Sequence, residues 1–206
     1  KTINDAGGEA AFITGDVTQL DDVERMVQFT VDTFGRVDIL INSAGVIKRT
    51  EVIEDATPED WAWQMDTNAR SVFYTCKFAL PQMMKQGYGA IVNIGSVSSL
   101  LASNGYATYC ASKGAVRSYT RVVALQYAEH GIRANVVEPA GIQTPMAYMD
   151  RPNYETGLDS AIKRNYPIAR PGQAQDVAYA ALFLASNESS WITGQSIIVD
   201  GGMSLK

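Results

Sequence analysis

Tyr109-Cys110-Ala111-Ser112-Lys113 places a phenol and an ammonium four residues apart. On a helix, side chains at that spacing share one face. A nearby cation favours the phenolate, lowering a tyrosine pKa from its usual value of about 10 toward neutrality. A phenol tuned in this way takes a proton from an alcohol or returns one to a carbonyl. Alone the pattern is weak, because Tyr/Lys pairs on helix surfaces are common.

Other residues turn the pair into a candidate site. Ser96 closes Asn93-Ile94-Gly95-Ser96, at the end of the apolar run Ala90–Ile94. In parallel α/β sheets, ligands bind beyond the carboxyl ends of the strands. A hydroxyl there can hydrogen-bond a substrate oxygen. Asn42-Ser43-Ala44-Gly45 ends a second apolar run, Val37–Asn42, and its small residues let a flat ligand approach the backbone. Pro139-Ala140-Gly141-Ile142-Gln143-Thr144 ends a third. Gln143, Met146, Tyr148, Met149 and Tyr154 follow it and read equally well as pocket lining or as loop anchors.

These segments need a frame that alternates strands and helices. Strands are expected at 10–13, 37–42, 90–94, 132–137 and 196–199. Apolar residues Val23, Met26, Val27, Val31 and Phe34 recur at helical spacing, with Asp21 and Asp22 at the start and Gly35 as the stop. Thr57-Pro58-Glu59-Asp60 is a helix start. A long helix or helix pair follows to about Lys85, with further helices at 108–129, 156–165 and 174–186. The alternation predicts one α/β domain over 1–206, a doubly wound parallel sheet of Rossmann type. The region 143–160 reads as a mobile excursion over a site rather than a linker.

Composition removes several function classes. The 206 residues are 46% hydrophobic and 19% charged, with 17 basic against 22 acidic side chains and a net charge of −5. Nothing marks a nucleic-acid footprint. No apolar stretch approaches the roughly 20 residues of a membrane span. Cys76 and Cys110 form no metal-ligand pattern and read as two buried thiols of a cytoplasmic protein. The single histidine, His130, suits a solvated helix C-terminus. Trp61, Trp63 and Trp191 are expected to pack helices, with Trp61 or Trp63 also able to reach a subunit interface.

Taken together, the motifs resemble the short-chain dehydrogenase/reductase family over nearly the whole chain. Asn42-Ser43-Ala44-Gly45 is similar to its Asn-Asn-Ala-Gly, and Asn68 falls on its helical asparagine. Ser96, Tyr109 and Lys113 match its serine, tyrosine and lysine. Asp16-Val17 matches the pair beside the adenine, and Gly194-Gln195 with Val199-Asp200-Gly201-Gly202 the late signature. The resemblance implies an NAD- or NADP-dependent oxidoreductase interconverting a secondary alcohol and a ketone, with the hydride carried by the cofactor. It makes Tyr109 the general acid/base and assigns Lys113 to the tyrosine and the nicotinamide ribose. Ser96 orients the substrate oxygen, and Asn68 holds a relay water. Asp16, Val17, Asn42, Ala44, Gly45, Tyr109, Lys113, Pro139, Gly141, Ile142 and Thr144 become cofactor contacts. Ser96, Tyr109, Gln143 and Tyr148 become substrate contacts. A homotetramer built through the helices near 60–85 and 108–129 and the strand near 196–199 is also implied. A non-catalytic scaffold, or an epimerase or dehydratase using the same Tyr/Lys pair, stays open as an alternative.

The sequence departs from the family pattern in three places. Ser43 replaces an asparagine. Ala140 stands in the usual Pro-Gly turn and would be strained if its φ were positive. No Gly-rich phosphate turn precedes residue 10, so the sequence reads as N-terminally incomplete. The family's first two strands would lie between residues 10–14 and the strand at 37–42, whose apolar residues on both faces call for burial. The residue that selects NAD or NADP would end the second of them, so that choice is not readable. Titration of the 206-residue chain with NADH and NADPH, followed by nicotinamide fluorescence, is expected to show weak binding or none. Micromolar affinity for either would contradict that expectation.

Overall fold

The computed structural model describes residues 2–50, 52–150 and 164–205, with the backbone alone at 148–150. Its helices are α1 (Thr2–Asp5), α2 (Leu20–Phe34), α3 (Pro58–Met65), α4 (Ser71–Gln86), α5 (Ala107–Tyr127), α6 (Pro145–Asp150) and α7 (Ala174–Ala185). Its strands are β1 (Ile39–Asn42), β2 (Gly89–Ile94), β3 (Ile132–Pro139) and β4 (Ser196–Val199), all parallel in the order β1-β2-β3-β4. This is the expected parallel α/β sheet, without the family's first β-α-β unit among the described residues.

Local chemistry sets the ends of these elements. Thr57 caps α3 by accepting from the Asp60 N–H, with Pro58 in the first turn. Gly35, Gly87 and Gly131 stop helical segments in the left-handed conformation, which a side chain would strain. Between α3 and α4 the ladder widens into a π turn, Asp66–Arg70, which carries Asn68.

The strand period of two splits the core between the two faces of the sheet. On one face Ile91, Ile132 and Ala134 pack with Val72, Cys76, Ala79, Leu80 and Met83 of α4 and Val116, Val123 and Ala124 of α5. On the other, Val92 and Val137 meet Ala181, Leu184 and Ala185 of α7. Arg133 ties that second layer down by donating to the carbonyls of Leu184 and Ser186. Asn135 bonds Ile192 O and the Gln195 N–H, fixing the approach to β4.

Four expectations need correction. Residues 10–13 form no strand and Phe12 is 92% exposed, because a strand exists only with a ladder partner and none is present among the described residues. Val37 is buried, yet Ile39 and Ile41 of β1 stay 47% and 48% exposed, since no described helix covers that end of the second face. Trp61, Trp63 and Trp191 are 50%, 47% and 99% exposed and pack no helix interior. Cys76 is buried as expected, but Cys110 is only half-buried. The helix expected at 156–165 lies outside the described residues save for its last turn at 164–165, as do Tyr154 and most of the excursion at 143–160.

Ala140 does not have a positive φ; Ala169 does, at 57°, in the turn after Pro167. An L-residue there loses about 1 kcal/mol to the clash of its Cβ with the backbone. Ala169→Gly is therefore expected to raise Tm by a few degrees in a thermal melt, and an unchanged or lower Tm would show that the turn carries no such strain.

Candidate active site

A cavity of about 950 Å³ runs along the uncovered end of the second face of the sheet, between Ile39 and Ile41 of β1 and Ala178, Ala181 and Ala185 of α7, to the carboxyl ends of the strands. Its wall includes Ser96, Tyr109 and Lys113, with Gly45 from the turn after β1 and Pro139, Ala140, Gly141, Ile142 and Thr144 from the turn after β3. The structure thus brings together three strand-end segments that are far apart in sequence.

Lys113 is the most constrained of these groups. Only 5% exposed, it donates from Nζ to Ile94 O at 2.9 Å, the last carbonyl of β2. Burial lowers its pKa from 10.5 to about 8, so at pH 7 the ammonium keeps its charge. Its Nζ lies 5.7 Å from the centre of the half-buried Tyr109 ring, one helical turn earlier on α5. Ser96 follows two residues after Ile94 and caps the short 3-10 turn Val97–Ser99, its Oγ accepting from the Ser98 N–H. Phenol, ammonium and hydroxyl are therefore set by one contact, that of α5 with the end of β2.

Asn68 lies behind this wall, 1% exposed. Its Oδ1 accepts from Val46 N–H at 2.8 Å, and its Nδ2 donates to Val46 O at 2.9 Å and to Ser112 Oγ at 3.0 Å. Both amide protons are used, and one Oδ1 lone pair remains. A Cβ on Gly45 would stand 3.4 Å from Asn68 Oδ1 and 3.6 Å from Lys113 Nζ, so a larger side chain there would fill the space beside both. Gln64, also buried, receives the Lys48 N–H and holds the same loop two residues further on.

The remaining expected residues sit elsewhere. Asn42 donates to Asn93 Oδ1 at 2.7 Å, and Asn93 in turn to Thr120. Strand parity turns Asn42 to the α5 face, while Ile39, Ile41 and Ser43 line the cavity. Ala44 is exposed and does not line the cavity. Asp16 closes the turn before α2, accepting from Thr18 and donating its N–H to Asp22, with Val17 half-buried beside it. Gln143 bonds Gln173 at 2.5 Å instead of facing the cavity. The side chain of Tyr148 lies outside the described residues, as does that of Met149; Met146 lines the wall.

The sequence reading missed Tyr166, whose hydroxyl accepts from the Gly141 N–H at 3.1 Å. Gly172 pairs with the same turn, its N–H donating to Gly141 O and its carbonyl accepting from Gln143 N–H. The turn after β3 is thus held from outside by residues 166–172. No signal local to residues 139–144 marks these partners; the only hint is a lone tyrosine followed by Pro167. Ser98, Ser103 and Tyr106, which no motif marks, also line the cavity.

The cavity fits a nicotinamide cofactor at its nicotinamide end. The glycine at 45 leaves the buried lysine approachable, and Pro139–Ile142 line the same cavity, braced by Tyr166 and Gly172. Among the described residues no group of three or more His, Cys, Asp or Glu side chains is arranged to hold a metal ion, and no helix is long and apolar enough to cross a membrane.

Known proteins match over the same span. The family model described as Enoyl-(Acyl carrier protein) reductase matches residues 1–204. An uncharacterized oxidoreductase of Thermotoga maritima is 41% identical over 203 residues, covering 97% of this chain and 79% of its own length. A glucose 1-dehydrogenase of Gluconobacter oxydans is 37% identical over 203 residues, covering 97% of this chain and 74% of its own. A gluconate 5-dehydrogenase of Burkholderia cenocepacia, solved with NADP and tartrate, superposes with a TM-score of 0.92 at 32% identity, covering all of this chain and 79% of the other. The parallel sheet, the strand-end cavity and these matches agree: the chain belongs to the short-chain dehydrogenase/reductase family and is an NAD(P)-dependent oxidoreductase acting on alcohol and ketone groups.

Proposed function

We propose that Tyr109 is the general acid/base of this oxidoreductase, with Lys113, Ser96 and Asn68 in supporting roles. One observation carries the reading: the Tyr109 phenol, the Ser96 hydroxyl and a buried Lys113 ammonium line one cavity. The nicotinamide cofactor, when bound, supplies or accepts the hydride. Ser96 orients the substrate oxygen by a hydrogen bond. Tyr109 takes the proton from an alcohol, or gives it to a ketone in the reverse direction. The Lys113 ammonium stabilises the phenolate and holds the nicotinamide ribose. The remaining Asn68 lone pair holds a water that carries protons between Lys113 and solvent.

Gly45, Pro139, Gly141, Ile142 and Thr144 contact the cofactor, and Asn42 acts behind them by fixing the end of β1 to β2. The substrate is a small secondary alcohol or its ketone. Relatives named for cyclohexanol, glucose and gluconate make cyclic alcohols, sugars and sugar acids candidates to test. The enzyme works as a homotetramer: Phe73 of α4, Val122 and Leu125 of α5, and Ile198 of β4 expose apolar surface on the implied interfaces. A cytoplasmic location agrees with two free cysteines.

Activity is best tested in the whole protein against cyclohexanol, D-glucose and D-gluconate with NAD and NADP. Tyr109→Phe is expected to lower kcat by at least about a hundredfold on whichever alcohol is oxidised, with cofactor Kd unchanged. Near-normal turnover would remove Tyr109 from the proton-transfer role.

Lys113 makes a separate prediction. The native ammonium, with a pKa of about 8 against 10.5 unfolded, is destabilising while both states are protonated. The penalty is therefore full below pH 8 and fades as pH rises to 10.5. Lys113→Met should weaken cofactor binding yet raise unfolding free energy at pH 7, by at most about 3 kcal/mol because Ile94 O loses its partner. That gain should shrink through the alkaline window in chemical denaturation. A variant less stable than the parent at pH 7 would show that the ammonium is held favourably and not against its hydration.

A further inference from the structure

Glu138 is fully buried near the end of β3, directly after the buried Val136 and Val137. Its Oε2 accepts from Ser99 Oγ at 2.7 Å and its Oε1 from Ser196 Oγ at 2.8 Å. Arg117 Nε of α5 lies 3.6 Å from Oε1, is itself buried and makes no hydrogen bond. One carboxylate thus joins β3, β4, α5 and the 3-10 turn after β2. Withdrawing a carboxylate from water is costly, and an apolar side chain would fill the same place at lower cost. Stability alone is a poor account of an acid here.

Its partners suggest another. Ser99 ends the turn that begins at Ser96: Ser99 N–H donates to Ser96 O at 2.9 Å, and Ser96 Oγ receives the Ser98 N–H. The chain leading into that turn runs against the Glu138 stem. A Cβ on Gly95 would stand 2.7 Å from Val136 Cγ1 and 3.3 Å from Glu138 Cγ. On its other side Glu138 is followed at once by Pro139, the first residue of the cavity wall after β3.

We propose that Glu138 is a positioning residue for the reaction. Through Ser99 it fixes the turn that carries Ser96 against the strand that leads into Pro139–Ile142. Substrate-orienting hydroxyl and cofactor wall are thereby held in one register. The Ser196 bond anchors the carboxylate to β4, and Arg117 supplies its counter-charge. The inference rests on the reading of Ser96 as the group that orients the substrate.

The two serines provide the test, because each gives one hydrogen bond to the same carboxylate and only Ser99 belongs to the Ser96 turn. Ser99→Ala, Ser196→Ala, Glu138→Ala, Glu138→Gln and Ser96→Ala would be assayed in the whole protein on the alcohol it oxidises fastest, with thermal melts alongside. Ser99→Ala is expected to lower kcat about tenfold with cofactor KM unchanged, since small misplacements of a reacting group are amplified in rate. Ser196→Ala should lose a similar amount of Tm and keep kcat within about twofold. Glu138→Gln, which preserves shape and one acceptor, should recover most of the kcat lost in Glu138→Ala if the latter folds. A Ser99→Ala enzyme with normal kcat beside a defective Ser96→Ala enzyme would overturn the role of Glu138 alone. Normal kcat in Ser96→Ala would overturn the reading of Ser96 and this inference with it.

Discussion

The site depends on a charge kept where water is scarce. Lys113 is a long, flexible cation, and such groups are almost never buried without compensation. Here the compensation is the backbone carbonyl of Ile94, at the point where β2 ends, together with the face of the Tyr109 ring. Apolar packing holds α5 on the sheet, and this bond adds the register at its N-terminal end, with Tyr109 one turn away and Ser96 two residues beyond the anchor. Burial lowers the pKa of the ammonium to about 8 and holds it 5.7 Å from the centre of the Tyr109 ring. A surface lysine at the same spacing would keep its hydration and its ordinary pKa.

The parallel sheet explains why these groups meet. All strands end on the same side, so the turns after β1, β2 and β3 converge without any special loop. Polar side chains behind the wall then stiffen it. Asn68 and Gln64 grip the loop after β1, Tyr166 and Gly172 hold the turn after β3, and Glu138 joins the turn after β2 to β3 and β4. A widened helical turn delivers Asn68, and such local departures from regular helix are frequent at functional sites. The cavity is thus lined by small and apolar groups and braced by buried hydrogen bonds.

Much of this was legible in the residues, and the exceptions have physical causes. The strands at β2, β3 and β4 and the helices around them follow from periodicity and end signals. So does the Tyr109–Lys113 face, because helical spacing is a local property. Residues 10–13 have strand-like composition, yet a strand is a property of a pair and the described residues supply no partner. The motif assigns Asn42 to the cofactor, whereas parity along β1 points its amide at Asn93. Tyr166, Gln64 and the partners of Glu138 are joined to the site only by contacts distant in sequence, which no local pattern encodes. Glu138 itself is visible as an acid in an apolar run, without any sign of what it would bind.

The buried lysine is the claim on which the rest stands, and it can be observed directly. An NMR titration of the Lys113 side chain, assigned by its loss in Lys113→Met, reads the protonation of that one group. A midpoint near 8 would agree with an ammonium withdrawn from water beside Tyr109. A midpoint at the ordinary 10.5 would mean that Lys113 is solvated, and would contradict the account.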